Sequence, residues 1–197
     1  ATVWLSFEDI KSDAVFSMAD VYNTYAIGGC DLSATTDLTC ASLLIRRSAD
    51  DPIIYVVQHY FIPQKRIDQL SEHNSQEAPY KIWAERGLLT ICDGSRVDYS
   101  LVTEWFCQMR DEHKIDAFKV GYDRALAGYW VDEMKSNGFD MCAVAQGPFT
   151  WSQPMREMGA AFTDKKVNYN QNPMLVWCLS NTAAKKSGVN NIQPVKI

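Results

Sequence analysis

The sequence predicts a mixed α/β domain in which an antiparallel three-strand meander continues into parallel strands flanked by helices. In the first third of the chain, two short polar turns separate three apolar strand patterns, an arrangement typical of a meander. Further along, apolar segments alternate between strand and helix periodicity, which favours parallel pairing. The length of 197 residues and the hydrophobic content of 47% are typical of one globular domain.

The meander follows a mixed lead-in, in which we expect a short helix within residues 6–22. Residues 24–33 form the first strand, and a polar turn at 34–37 leads into a second strand over 38–46. A further turn precedes residues 52–62, where Ile, Tyr and Val favour a third strand. Because both connections are short, we expect consecutive strands to pair antiparallel.

The rest of the chain predicts alternating helices and strands. Asp98 is a suitable N-cap for a helix whose apolar residues recur at i, i+3, i+4 and i+7. Gly138 stands where a C′ glycine would end the next helix. The predicted helices cover 64–76, 98–113, 124–137, 152–162 and 173–184, and the predicted strands cover 88–92, 117–123 and 141–145.

Composition and charge exclude several classes of protein. The formal net charge of −5 argues against a protein that holds nucleic acid by bulk positive charge, although it allows an acidic, metal-loaded site to contact nucleic acid. We expect no contact with a membrane, because no apolar run approaches the ~20 residues that span a bilayer. The six cysteines form no CxxC pair, and most lie in apolar patterns typical of buried free thiols.

Two predicted strands end in an aspartate that follows a glycine by two residues. Asp31 ends the segment Gly-Cys-Asp, and Asp123 ends Gly-Tyr-Asp. If these strands are parallel neighbours joined through the Asp98 helix, their axes lie ~4.8 Å apart and the carboxylates can share a divalent ion. Oxygen ligands favour Mg²⁺ or Mn²⁺ over zinc. The alternative is that both aspartates are turn residues or helix N-caps, where Asp is common.

The segment GCDLSATTDLT at residues 29–39 resembles the sequence that opens the nuclease domain of tailed-bacteriophage large terminase subunits. Further matches follow in that family's order along the chain, and the series is more specific than any single motif. They are YFIP at 60–63, AP at 78–79 with Trp83 and Gly87, VDY at 97–99, GYD at 121–123, QG at 146–147, SQPM at 152–155, and NP at 172–173 with Trp177 and Asn181.

The resemblance implies an RNase-H-like nuclease domain over residues 25–197, with residues 1–24 as a lead-in from an ATPase half that is missing here. It implies a two-metal-type endodeoxyribonuclease that cuts concatemeric viral DNA. Asp31 and Asp123 match the family's first two catalytic carboxylates and would bind Mg²⁺ or Mn²⁺. Asp37 resembles a further acidic position of the first motif, and it is equally readable as a turn residue.

The expected partners also come from the resemblance. They are double-stranded DNA and, in the full assembly, an ATPase motor domain, a small terminase subunit and a portal. The expected location is the host cell cytoplasm, at the procapsid portal during packaging.

Two departures from the family pattern bear on activity. The chain contains no GxxxxGK[ST] motif, so we expect no ATPase site. The family's third carboxylate follows a Pro-x-Lys segment, here PVK at 194–196, yet no acidic residue lies after Asp164. A second hypothesis is therefore a catalytically incomplete RNase-H-like module that docks on DNA or packaging partners without cutting. A resolvase or transposase is a third, which the motif series disfavours.

Overall fold

The computed structural model describes residues 1–72, 78–126 and 128–197. Its helices are α1 (Phe7–Ile10), α2 (Gln64–Glu72), α3 (Tyr80–Glu85), α4 (Tyr99–Asp111), α5 (Trp130–Ser136), α6 (Pro148–Thr163) and α7 (Pro173–Ser180). Its strands are β1 (Thr2–Val3), β2 (Thr24–Asp31), β3 (Thr39–Arg46), β4 (Ile54–Pro63), β5 (Leu89–Cys92), β6 (Ile115–Tyr122), β7 (Met141–Ala143), β8 (Val167–Asn168), β9 (Thr182–Ser187) and β10 (Asn191–Lys196).

The central sheet runs in the order β5-β4-β3-β2-β6-β7, and the short β8 pairs with β4. Strands β2, β3 and β4 form the predicted antiparallel meander. Strand β6 pairs parallel with both β2 and β7, and β5 pairs parallel with β4. The predicted mixed sheet, antiparallel in the meander and parallel outside it, is therefore confirmed.

One face of the sheet around β2 is covered by α4 and α5. Alternate residues of β2 point into this layer, so that Ala26 and Cys30 are buried while their neighbours face the other side. Helix α4 begins as predicted, because the side chain of Asp98 accepts a hydrogen bond from the Ser100 N–H at 3.0 Å. Phe106 on α4 and Trp130 on α5 are almost fully buried here.

A second sheet of three antiparallel strands, β1-β9-β10, stands beside the central one. The side chain of Ser152 on α6 fastens its β9–β10 hairpin, since the Ser152 hydroxyl accepts a hydrogen bond from the Ile192 N–H at 2.8 Å. The predicted helix over 173–184 is too long. It ends at Ser180, where Asn181 caps it, and the chain then pairs as β9.

Other expectations on element bounds need smaller corrections. The lead-in contains the four-residue α1 and a 3-10 turn at Met18–Val21 instead of one helix within 6–22. The predicted helix over 124–137 consists of a 3-10 turn at Arg124–Leu126 followed by α5. The end of the predicted helix over 64–76 lies outside the described residues. The division of the chain at residue 25 stays a prediction.

All six cysteines are free thiols: Cys30 and Cys92 are buried, Cys142 is exposed, and the other three are partly buried. Within residues 1–72, 78–126 and 128–197, none of the helices has the length and apolar character needed to cross a membrane.

Candidate metal centre

Asp31 and Asp123 lie at the same edge of the central sheet. Asp31 is the last residue of β2, and Asp123 directly follows β6. In the parallel register Cys30 of β2 stands opposite Tyr122 of β6. Asp31 and Asp123 are the residues that directly follow this pair in the sequence. The prediction of adjacent parallel strands, with the Asp98 helix in the connection, is confirmed, and both aspartates line one groove of about 760 Å³.

The groove lies on the face of the sheet opposite α4 and α5. Its floor is formed by residues of β2, β3 and β6, and its walls by α6 and the β9–β10 hairpin. These residues include Ile27, Gly29, Cys40, Ser42, Lys119, Gly121, Trp151, Gln193 and Pro194. Two aspartates at the end of such a groove can contact a ligand that enters it.

The Asp31 carboxylate is exposed to the groove, yet its environment disfavours negative charge. The surrounding walls desolvate the carboxylate and raise its pKa above the ordinary value. The ammonium of Lys196 opposes this effect, whereas the negative charges of Asp123 and Asp37 add to it. Because like charges raise the cost of ionisation, a bound cation would relieve the repulsion between these carboxylates.

Asp123 also has a local structural role. Its Oδ1 accepts a hydrogen bond from the Ala125 N–H at 3.0 Å, so it caps the 3-10 turn that follows β6. The alternative interpretation of Asp123 as a turn residue therefore describes its backbone contact correctly. A carboxylate has two oxygens and about four acceptor positions, so one such bond leaves acceptor capacity for a ligand.

Asp37 does not join the other two aspartates in a three-ligand site. Its carboxylate forms an ion pair with Lys196, in which Oδ2 lies 2.7 Å from Nζ. Its backbone N–H donates to the Ser33 hydroxyl at 3.1 Å, which fixes the β2–β3 turn. Among the described residues, no three His, Cys, Asp or Glu side chains come together in an arrangement able to hold a metal ion.

A partly buried polar network lies in the floor of the groove beside Asp31. The Gln58 amide donates to the Ser42 hydroxyl at 2.8 Å, and the Tyr60 hydroxyl donates to Gln58 Oε1 at 2.7 Å. Burial raises the pKa of Cys40, which stands opposite Asp31 in the β2–β3 register, to about 12. Cys40 therefore stays a thiol near neutral pH, and a metal here would meet oxygen donors.

Sequence reasoning missed two residues of the groove and one ion pair beside it. Ser42 had a detectable signal, because it alternates with the buried Ala41 and Leu43 in a predicted strand. Trp151 reaches the groove through α6, and no local pattern indicates that contact. Lys196 lies in the PVK segment, but nothing in the sequence indicates its ion pair with Asp37.

The mixed sheet flanked by helices has the RNase H-like architecture of terminase nuclease domains. The chain belongs to the terminase large subunit endonuclease domain family, whose profile matches residues 1–197. It is 27% identical over 170 residues to the large terminase subunit of Enterobacteria phage HK97, a match that covers 83% of this chain and 32% of the HK97 protein. The chain thus spans about a third of the length of that relative.

Solved structures agree on the fold. The crystal structure of the HK97 large terminase matches with a TM-score of 0.74 at 23% identity, over 87% of this chain and 35% of that one. The large terminase nuclease of thermophilic phage G20c with bound magnesium gives 0.54 at 11% identity, over 89% and 73% of the two chains. The SPP1 nuclease domain with bound manganese gives 0.51 at 9% identity, over 93% and 83%.

Proposed function

We propose that this domain is a metal-dependent endonuclease that cuts concatemeric phage DNA, with Asp31 and Asp123 as its catalytic carboxylates. The observation that carries the proposal is the position of both aspartates at the ends of neighbouring parallel strands in one groove. Family membership supports nuclease chemistry. Ligands of open α/β sheets bind at the carboxyl ends of strands, which is where both residues lie.

The donor set fits Mg²⁺ or Mn²⁺. Two carboxylates face the groove and the neighbouring Cys40 stays protonated. Desolvation first, and the negative charges of Asp123 and Asp37 after it, raise the pKa of Asp31, and a cation would relieve the charge repulsion. The G20c and SPP1 nuclease structures that share the fold hold magnesium and manganese, which supports the same ions here. When bound, such ions activate water and stabilise charge on the scissile phosphate.

The chain's own residues supply position and shape. Asp31 and Asp123 orient the ion-binding oxygens at one edge of the sheet, and the bond from Asp123 to the Ala125 N–H restricts the rotation of that carboxylate. The groove walls restrict access of bulk water to Asp31, which strengthens electrostatic interactions at its carboxylate. Gly29 carries no side chain and a Cβ there would have no neighbour within 4 Å, so the floor at β2 has room for a DNA strand.

A two-metal mechanism requires more ligands than these two aspartates provide. We propose that the 197-residue chain binds divalent ions weakly, because few anionic oxygens offset the dehydration of Mg²⁺. Mn²⁺ should support more activity than Mg²⁺, since it is less strict about geometry. A module that docks on DNA or packaging partners without cutting remains the second candidate, favoured by the lack of a three-residue cluster among the described side chains.

The proposed setting is the phage packaging machinery in the host cytoplasm, at the procapsid portal. Membership of the large-subunit family supports double-stranded DNA, an ATPase motor domain, a small terminase subunit and a portal as partners.

A plasmid-nicking assay with Mn²⁺, Mg²⁺ or EDTA tests the proposal. We expect nicking with either metal, none with EDTA, and a loss of at least about 100-fold in Asp31→Asn and Asp123→Asn. Asp116→Asn is the matched control, because Asp116 lies on β6 but at the opposite end of the strand. Nicking by both site variants at the wild-type rate would refute the assignment. Duplex binding without nicking by the wild type would favour the docking module.

A further inference from the structure

Lys196 lies at the end of the β9–β10 hairpin, beside the candidate metal centre. The hairpin is anchored on α6 by Ser152 and by Arg156, whose guanidinium donates to the carbonyl of Asn190. Gln193 and Pro194 of the same strand line the groove. The anchored hairpin therefore holds Lys196 two residues beyond Pro194, which lines the groove.

The ammonium of Lys196 lies within the electrostatic field of two acidic residues. It pairs with Asp37 at 2.7 Å, and its positive charge acts on the Asp31 carboxylate. In a chain with net charge −5, a cation at this place reduces the negative potential that a DNA phosphate would meet.

The pair with Asp37 is too exposed to be explained as a structural bond. The side chain of Lys196 is 75% exposed and that of Asp37 59% exposed. Ion pairs of this exposure contribute little to stability, because water and salt screen them. The same exposure leaves the ammonium accessible to a ligand that extends beyond the groove, and a lysine ammonium is a suitable point charge for a phosphate.

We propose that Lys196 is a further DNA-contacting residue of the centre, held by Asp37 in the free protein and bound to a backbone phosphate when a strand occupies the groove. This inference rests on the proposed function, because it places DNA beside Asp31. It assigns to the hairpin a role that neither carboxylate can perform. When the Lys196 ammonium moves from the Asp37 carboxylate to a DNA phosphate, it has an anionic partner both before and after DNA binding.

The test measures duplex binding in Ca²⁺ as a function of salt, and Mn²⁺ binding by calorimetry. One lost phosphate contact in Lys196→Met should reduce the slope of log K against log salt by about 0.9. Lys196→Arg should keep the wild-type slope. Lys135→Met is the control, because this exposed lysine lies on α5 on the other side of the sheet. Lys196→Met should also bind Mn²⁺ several-fold more tightly, because the variant lacks a positive charge near Asp31 that repels the cation.

The Asp37→Asn variant distinguishes two roles of Lys196: a contact with a DNA phosphate, or an ion pair that only holds the hairpin in place. If Lys196 contacts DNA, Asp37→Asn keeps the wild-type salt slope, because the ammonium remains. If the ion pair only holds the hairpin, Asp37→Asn and Lys196→Met weaken DNA binding alike, which overturns the inference. An unchanged slope in Lys196→Met, or no duplex binding by the wild type, also overturns it. A wild type that binds DNA but never nicks it contradicts the proposed nuclease function and leaves these binding results decisive for Lys196.

Discussion

The two faces of the sheet at β2 and β6 differ in composition, although they are built from alternate residues of the same strands. On one face, Ala26, Cys30 and Val120 are buried beneath α4 and α5. On the other, Ile27 and Lys119 are exposed along the groove that leads to the aspartates. Within single strands, alternate residues therefore serve two surfaces: one is packed into the core, and the other lines the groove that ends at the two aspartates.

Two adjacent glycines show the same division at atomic scale. A Cβ at Gly28 would lie 3.0 Å from Val120 Cγ2 and 3.5 Å from Phe106 Cε1, whereas a Cβ at Gly29 would have no neighbour within 4 Å. Close packing leaves no spare volume on the helix-covered face, while the groove face has room. Substitutions on the two faces should therefore affect different properties.

The largest stability effect should come from Phe106→Ala, which removes a fully buried ring that packs edge-on against Trp105 and Phe139. We expect a loss of about 3–5 kcal/mol in the free energy of unfolding, measured by urea denaturation. Nicking per folded molecule should stay unchanged, because the ring lies on the covered face. Normal stability with lost nicking would contradict the division between the faces.

Gly28→Ala should destabilise the fold by about 1–3 kcal/mol, since the added methyl overpacks the contact with Val120. Gly29→Ala is its matched control. It should be neutral or stabilise by about 0.4–1 kcal/mol, because it restricts the unfolded chain without a clash. Equal losses of unfolding free energy in the two variants would disprove the proposed asymmetry.

The pH dependence of stability tests how strongly His59 is buried on the helix-covered face. It stands opposite Ala41 in the β3–β4 register, contacts Phe61 and shares a 2.7 Å hydrogen bond with Thr90. Burial lowers the pKa of His59 to about 4. The unfolded chain therefore binds more protons below about pH 6.5, so stability is lost as the pH falls from there. We expect a loss of up to about 2 kcal/mol near pH 5, absent from His59→Gln, in urea melts of both proteins.

For Asp31 we expect stability to change with pH in the opposite direction, and we expect this to be the smallest of the effects. Its pKa is raised, so between the ordinary carboxyl pKa and the folded value the native state binds more protons than the unfolded one. Stability is therefore lost as the pH rises through that window. In EDTA, Asp31→Asn should show a slightly higher Tm than the wild type above the window and no advantage below it. Mn²⁺ should raise the Tm of the wild type only.

The sequence was informative where local chemistry determines structure. Alternating apolar residues predicted the meander, and Asp98 gave the start of α4 correctly. Asp31 and Asp123 could be placed together because parallel strands align their carboxyl ends. Their catalytic role stays a prediction.

The hairpin and its contact with Asp37 could not be predicted in this way. Strand β9 reads TAAKKS, which lacks β-branched alternation, and its partner β10 contains Pro194. These strands exist because they pair with one another and pack on α6, which is a tertiary effect. The ion pair between Lys196 and Asp37 joins distant parts of the chain, and no local periodicity encodes it.

The parallel pairing of β2 with β6 also has a consequence for the order of folding. The meander forms from neighbouring segments, whereas the contact between Cys30 and Tyr122 closes a loop of about ninety residues. Because closing a loop of that length costs more entropy than pairing neighbouring strands, we expect β2 and β6 to pair after the meander has formed. A ribosome-bound chain that has completed only the meander carries Asp31 without Asp123. The pair of acidic groups is therefore assembled only after synthesis has passed β6, and a partly made chain has no complete candidate metal centre.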